Sequence, residues 1–278
     1  MATLVDRLHA PSAAIAGRPA EVGAAASRAV GAVAGSVSRA ATTNPPVAGA
    51  IAAAVVPARV AVARSRTAET VALAGLAGFG VLFALVRRNR TAAIDMALTI
   101  RIQARRHPAL DHLMAAASWP GFPPQSRALP PAIIAALAAA GLRVEAVCAT
   151  AGWGSALLST LAKGFMGRKR PVAGTDLRVV AAPLGGSSFP SGHVLTYVGT
   201  YGFLAVLAAS LIRQAPLRWS VVGGLVGLVA LVGPSRIQQG HHWPTDVTAS
   251  YLLGTSYLLG VTELYRRMKA SSAKPAPR

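Results

Sequence analysis

Two histidines and an aspartate occur near fixed cations in a chain that is otherwise very apolar. His193 ends the segment P-S-G-H at residues 190–193, and His242 precedes Asp246 in the segment S-R-I-Q-Q-G-H-H-W-P-T-D at residues 235–246. An aspartate on one imidazole nitrogen fixes the tautomer and leaves the other nitrogen free to act as a nucleophile. The pair His242 and Asp246 therefore predicts nucleophilic catalysis by a histidine.

The nearby cations indicate what such a site would act on. Lys163 and Arg170 are separated by about two helical turns, so both can point the same way. Arg236 supplies a third cation from another segment. Phosphoryl transfer spreads negative charge over three oxygens in the transition state, and preorganised cations stabilise that charge. The three side chains predict a phosphate site, in which arginine binds pairs of oxygens and lysine acts as a point charge.

The P-S-G-H segment comes directly before an apolar run that starts at Val194. The amides of Ser191, Gly192 and His193 are therefore expected at a helix N-terminus, where free N–H groups and the helix dipole favour an anion. Gly192 would let the backbone approach closely, and Ser191 adds a hydroxyl donor.

The three segments together resemble the signature of the type 2 phosphatidic acid phosphatase superfamily, also called lipid phosphate phosphatases. That signature is K-x6-R-P, then P-S-G-H, then S-R-x5-H-x3-D. Every fixed position is filled, by Lys163, Arg170, Pro171, Pro190, Ser191, Gly192, His193, Ser235, Arg236, His242 and Asp246. The resemblance covers about residues 67–268.

The resemblance implies a role for each residue. His242 would attack phosphorus to give a phosphohistidine, Asp246 would orient it, and His193 would protonate the leaving oxygen. Lys163, Arg170, Ser191, Gly192 and Arg236 would bind the phosphate, and no metal or other cofactor is expected. A metal site built from the same histidines and aspartate is the competing interpretation.

Some neighbouring residues fall on variable positions of the signature. His241 is expected to be a structural residue. Arg168 and Lys169 could bind a second phosphate or face lipid headgroups. Taken singly, the histidines could also be helix-end hydrogen bonders and the arginines interfacial anchors.

The composition indicates a membrane protein. Hydrophobic residues make up 53% of the chain and charged residues 13%, with a mean hydropathy of +0.47, whereas soluble domains carry about 25% charged residues. Six apolar runs lie at residues 71–86, 129–142, 146–162, 194–212, 219–232 and 247–262. The sequence predicts an all-α integral-membrane bundle of about six transmembrane helices. Buried helices of a soluble core are the alternative.

Three regions follow from these patterns. Residues 1–66 are rich in Ala, Arg and Pro and are expected to be a disordered or interfacial tail, residues 67–268 the membrane-embedded phosphatase domain, and residues 269–278 a basic C-terminal tail. Within the domain, residues 87–127 are expected to include an amphipathic segment at the membrane interface. Residues 172–188 are expected to form a lid or specificity loop.

The net charge of +19 is dispersed, which favours membrane lipids over nucleic acid as partners. The lone Cys148 gives no information on the redox compartment, and the oligomeric state stays open.

The expected activity is hydrolysis of a lipid phosphate or diphosphate in a bacterial inner membrane, with the active site facing outward. The alternatives are a lipid phosphotransferase, a vanadate-dependent haloperoxidase and a catalytically inactive lipid-binding relative. By analogy with the family, a polyprenyl (di)phosphate or a glycerophospholipid phosphate is favoured as substrate.

Overall fold

The computed structural model describes residues 66–105, 107–174, 177–180 and 185–272, and all regular elements within them are helices. The N-terminal tail up to residue 65, Asp176 in the expected lid and the last residues of the basic tail lie outside this part of the chain. The helices are α1 (Arg66–Arg87), α2 (Ala92–Gln103), α3 (Pro108–Ser118), α4 (Gln125–Ala139), α5 (Arg143–Trp153), α6 (Ser155–Gly164), α7 (Gly192–Tyr197), α8 (Phe203–Leu211), α9 (Ala215–Gln238) and α10 (Pro244–Ser272). A π-turn at Val198–Gly202 joins α7 to α8, and a 3₁₀ turn at Trp119–Gly121 follows α3.

Each of the six apolar runs is mostly helical, as the sequence predicts, although the runs at 129–142 and 194–212 extend past the ends of α4 and α8. Among the described residues, three helical segments are both long and apolar enough to cross a membrane, namely Arg66–Arg87, Gly192–Leu211 and Ala215–Gln238. The other runs fall in shorter or more polar helices, and the run at 146–162 is divided between α5 and α6 at Gly154. The count of six spans therefore stays a prediction.

The segment Gly192–Leu211 is the central element. Most of its apolar window is buried, whereas little of α1 or α9 is. It crosses α5 and α6 at a contact between small residues, because a Cβ on Gly152 would lie 2.5 Å from the Gly199 carbonyl oxygen and one on Gly199 would lie 2.2 Å from Ser155 Oγ. Glycine at both positions lets the two backbones touch, and this contact sets the position of the helix that carries P-S-G-H.

The segment expected to be amphipathic is folded with its polar side inward. On α2, Asp95, Thr99 and Gln103 recur every fourth residue and are buried, while Ile94 and Ile100 are exposed. Helix α2 packs on α9 and α10 through this polar face. A helix in apolar surroundings must satisfy its polar groups from within the protein, so its apolar side chains point outward. The buried polar face brings α2 directly to the catalytic segments.

Candidate active site

The three sequence segments converge at one end of the bundle. Lys163 lies in the last turn of α6, Arg170 in the extended segment that follows, and Arg236 in the last turn of α9. His193 lies in the first turn of α7, and His242 and Asp246 lie at the start of α10. Helices that end and helices that begin here place all the predicted site residues in one cluster.

His242 is fixed in a single tautomer. Its Nδ1 lies 2.7 Å from the Ser188 carbonyl oxygen, and a carbonyl can only accept, so Nδ1 carries the proton. Nε2 is therefore left with its lone pair, 3.4 Å from Arg170 Nη1. The ring is 2% exposed, and burial lowers the pKa of His242 to about 4, against the opposing attraction of Asp246. At neutral pH the side chain is an uncharged imidazole with Nε2 available as a nucleophile.

The contact between Asp246 and His242 is looser than the sequence suggests. Asp246 Oδ2 lies 3.6 Å from His242 Nδ1, beyond a good hydrogen bond, and accepts instead from the Trp243 N–H at 2.9 Å. The Ser188 carbonyl holds the ring, and the buried carboxylate adds a negative charge beside it. Ser188 could not be predicted from the sequence, because a main-chain carbonyl has no side-chain signature.

Several buried donors around His242 lack hydrogen-bond partners. The Arg236 side chain is 0% exposed, and its Nη1 donates to Gln239 Oε1 at 3.0 Å, but its Nε and Nη2 have no partner among the described residues. Within the same part of the chain, Arg170 Nε, Ser191 Oγ and His193 Nε2 also have no hydrogen-bond partner. An unpaired buried charge costs several kcal/mol. Donors of this kind, gathered at one place, form a preorganised site for an anion.

Gly192 packs closely against α6. A Cβ at this position would lie 3.1 Å from Ser159 Oγ, a tight contact, and 3.6 Å from Lys163 Nζ, an ordinary one, so the start of α7 lies beside the ammonium group. The Ser191 amide differs from the prediction, since it donates to Ser250 Oγ at 2.7 Å. Of the Ser191 polar groups, the hydroxyl rather than the amide is left for a ligand.

A loop at residues 119–124, W-P-G-F-P-P, covers the site and was not singled out from the sequence. The Phe122 ring lies 4.8 Å from the His193 ring and 4.8 Å from the Arg236 guanidinium carbon. A Cβ on Gly121 would lie 2.9 Å from His193 Nε2. The signal available in the sequence was the dense run of Trp, Pro, Gly and Phe within a segment treated as interfacial.

Arg168 differs most from its prediction. It neither faces headgroups nor lies free for a second phosphate, because its guanidinium binds Asp246 Oδ1 on one side and Asp95 Oδ2, at 2.5 Å, on the other. His241 is buried, and its carbonyl oxygen accepts from Arg170 Nη1 at 2.9 Å, which agrees with a structural role for its main chain. Neither ring nitrogen of His241 has a hydrogen-bond partner among the residues that the structure describes.

The described part of the expected lid is held against the back of the site. The Arg178 amide donates to Gln103 Oε1 at 2.9 Å, and the Val180 amide donates to the Gln239 carbonyl at 3.1 Å. Gly240 has a φ of +72°, and a Cβ there would lie 2.3 Å from the Arg178 carbonyl oxygen.

Within the described residues no group of three or more His, Cys, Asp or Glu side chains could hold a metal ion.

Comparison with known proteins agrees with this geometry. Residues 133–269 match the family model of the PAP2 superfamily. The chain is 38% identical over 68 residues to an undecaprenyl-diphosphatase of Sulfolobus acidocaldarius, across 24% of this chain and 29% of that protein. It is 36% identical over 84 residues to undecaprenyl-diphosphatase BcrC of Bacillus subtilis, across 30% of this chain and 38% of that protein. These matches thus span well under half of either curated relative.

A solved structure has the same fold. The crystal structure of a transmembrane PAP2 type phosphatidylglycerolphosphate phosphatase from Bacillus subtilis matches with a TM-score of 0.60 at 22% identity, and covers 74% of this chain and 98% of that one. The shared fold and the apolar helices show that this chain is a membrane protein.

Proposed function

Because residues 133–269 belong to the PAP2 superfamily, we propose that this protein is a membrane-bound phosphatase that hydrolyses a lipid phosphate or diphosphate through a phosphohistidine on His242. The observation that carries the proposal is the set of buried donors without partners around an uncharged His242. A phosphate group would satisfy these donors and lie within reach of Nε2.

The proposed reaction has two steps. His242 Nε2 attacks phosphorus, a P–N bond forms, and the P–O bond to the lipid or to its remaining phosphate breaks as His193 donates a proton to the leaving oxygen. Water then attacks the phosphohistidine, His193 takes the water's proton, the P–N bond breaks and inorganic phosphate leaves. Arg170, Arg236 and Lys163 stabilise the charge on the phosphoryl oxygens in both steps.

The named relatives suggest which lipids to test. Two are undecaprenyl-diphosphatases and one is a phosphatidylglycerolphosphate phosphatase, so polyprenyl diphosphates and glycerophospholipid phosphates are the proposed substrate classes. The loop over His193 and the lid at residues 172–188 are the elements placed to read the rest of the lipid.

We also propose that the active site faces outward from a bacterial inner membrane. Arg213 lies in the α8–α9 connection and Arg218 near the start of α9, whereas Arg236 lies near its end at the site. Lys269 lies at the end of α10, whose start carries Asp246. Basic residues at the end of the bundle away from the site favour a cytoplasmic position for that end. The test is to replace Arg213 by cysteine and to treat intact cells with a membrane-impermeant thiol reagent. We expect no labelling, and labelling of this cysteine would show that the active site faces the cytoplasm.

The deciding experiment is phosphate release by the detergent-purified protein in EDTA, from phosphatidate, phosphatidylglycerophosphate and undecaprenyl diphosphate. Wild type is compared with His242→Ala and with His112→Ala, which changes an exposed histidine on α3. We expect release by wild type and by His112→Ala, loss of release in His242→Ala, and an acid-labile phosphoryl label on wild type and His112→Ala but not on His242→Ala. A folded wild-type protein that releases no phosphate from these lipids would contradict the hydrolase proposal. Transfer of the label to an added alcohol would instead indicate a phosphotransferase.

A further inference from the structure

A chain of buried charges leads from α2 to the catalytic histidine. The Arg168 guanidinium donates through Nη1 to Asp246 Oδ1 and to Thr245 Oγ1, the latter at 2.8 Å. Through Nη2 it donates to Asp95 Oδ2 at 2.5 Å. The Arg168 side chain is 13% exposed, and the carboxylates are 1% and 0% exposed. The arginine thus bridges two carboxylates from different helices in a place largely closed to water.

Asp95 also holds the first turn of α10. Its Oδ1 accepts from the Thr245 amide at 2.9 Å, and its Oδ2 accepts from Thr245 Oγ1 at 2.8 Å. The first N–H groups of a helix lack intrahelical partners, and a carboxylate that binds one of them acts as a cap. Here the cap comes from α2, about 150 residues earlier in the chain. Asp95 therefore fixes the turn of α10 that carries Asp246.

Burial of the Asp95 and Asp246 carboxylates depends on Arg168, which compensates their charge. Removing one partner of a buried ion pair leaves an uncompensated charge, which is strongly unfavourable. Asp246 Oδ1 is occupied by Arg168, and so Oδ2 is the oxygen turned toward Trp243 and the His242 ring. The direction of the catalytic carboxylate is therefore set by an arginine that lies at a variable position of the signature.

We propose that Asp95 and Arg168 are positioning residues, which hold Asp246 and the first turn of α10 so that His242 Nε2 faces the phosphate site. The inference rests on the proposed phosphatase function for its kinetic readout. Arg168 acts on the reaction through Asp246, and Asp95 acts through Arg168 and Thr245. Neither touches the substrate.

The first test separates positioning from substrate binding. In Arg168→Gln we expect kcat to fall about 100-fold, as for a misplacement of about 1 Å, while KM and the inhibition constant of inorganic phosphate change less than about threefold. Arg168→Lys keeps the positive charge but loses the two guanidinium nitrogens that bind both carboxylates, so its kcat should lie between those of wild type and Arg168→Gln. Asp95→Asn, which keeps the size of the side chain and removes its charge, should also lower kcat. Since Asp95 acts partly through Arg168 and partly through Thr245, adding Asp95→Asn to Arg168→Gln should cause a smaller further loss than Asp95→Asn causes in wild type.

Glu145→Gln is the matched control. Glu145 is a buried carboxylate on α5 that pairs with Lys269 at 2.9 Å. Lys269 is 23 residues from Asp246 along α10, which is about 34 Å of helix. This variant should keep the wild-type kcat. Wild-type kcat in Arg168→Gln, or a loss in Glu145→Gln as large as that in Arg168→Gln, would overturn the inference, and so would fully additive losses in the double variant.

A second readout does not need turnover. The charged or titratable groups that face His242 are Asp246, Arg170, Arg236 and His193. Removing Arg168 leaves the charge of Asp246 less compensated, which favours the imidazolium. NMR of ¹⁵N-histidine-labelled protein, with His242→Ala for assignment, should show His242 titrating at a higher pH in Arg168→Gln than in wild type. An unchanged titration midpoint of His242 would overturn the positioning role, whether or not wild type releases phosphate. A wild-type protein that releases no phosphate would contradict only the proposed function.

Discussion

Replacing Gly121 by alanine should disable the enzyme without touching any residue of the three-part signature. The added Cβ would lie 2.3 Å from His193 Cδ2, 2.9 Å from His193 Nε2 and 3.0 Å from a ring carbon of Tyr197. Since ordinary van der Waals contact lies near 3.5–4.0 Å, the His193 ring must move by about 1 Å or more. Tyr197 cannot make room easily, because its hydroxyl donates to the Ala117 carbonyl at 2.9 Å.

The displacement can be converted into a rate. A catalytic group misplaced by about 1 Å can cost about 100-fold in rate, and overpacking a well-packed site costs about 1–3 kcal/mol of stability. We therefore expect Gly121→Ala to lower kcat about 100-fold, with a modest fall in Tm. Gly80→Ala is the control, because a Cβ at that position on α1 would meet nothing within 4 Å.

The assay is phosphate release under saturating lipid, with single-turnover labelling of the protein as a second measurement. If His193 donates the proton in the first step, the phosphohistidine should form more slowly in Gly121→Ala. A variant with wild-type kcat would show that the loop at residues 119–124 does not constrain His193, and would refute this account of the covered site.

Three further predictions concern individual groups of the site. Arg236→Met, which removes a buried unpaired charge at similar volume, should raise Tm while lowering kcat/KM by 100-fold or more, as about 3 kcal/mol of lost charge stabilisation would give. Phosphate should raise the Tm of wild type but not of this variant, and a parallel rise in both would contradict the anion site. Gly192→Ala should raise KM, because the added Cβ would lie only 3.1 Å from Ser159 Oγ and would also approach Lys163 Nζ. Steady-state kinetics at varied lipid concentration measure KM, and an unchanged value would contradict this prediction. The folded-state pKa of His242, about 4, lies below the unfolded value near 6.5, so stability should be lost as pH falls through this window, by about 1.4 kcal/mol per pH unit at most. Tm measured from pH 7 to pH 4 should therefore fall less steeply in His242→Ala than in wild type.

The sequence predicted the components of the site better than their contacts. Lys163, Arg170, His193, Arg236 and His242 meet as expected, because each lies at an end of an apolar run or in the short segment next to it, and those ends share one side of the bundle. The partner of the His242 Nδ1 proton could not be predicted, since it is the carbonyl of Ser188 in the preceding loop. Main-chain groups are available at every position, so only the folded path of the chain selects one.

The helical fold was predictable from the apolar runs, but the direction in which α2 faces was not. Polar residues that recur about every fourth position predict an amphipathic helix, but this pattern does not tell which face of the helix is buried. Which face turns inward depends on what surrounds the helix. Asp95 and Gln103 face inward because Arg168, Thr245 and the Arg178 main chain are there to bind them.

Two kinds of buried arginine distinguish the parts of this site. Arg168 has both of its terminal nitrogens bound to carboxylates, so its charge is already compensated and a phosphate would have to compete with them. Arg236 is fully buried, yet in the described part of the chain its Nε and Nη2 have no hydrogen-bond partner, and the Phe122 ring lies against its guanidinium group. A protein retains an uncompensated buried charge when a ligand supplies the missing partner, since otherwise an apolar side chain would be more stable. We therefore expect the compensated Arg168 to position His242, as proposed above, and the uncompensated Arg236 to bind the phosphate group of the substrate.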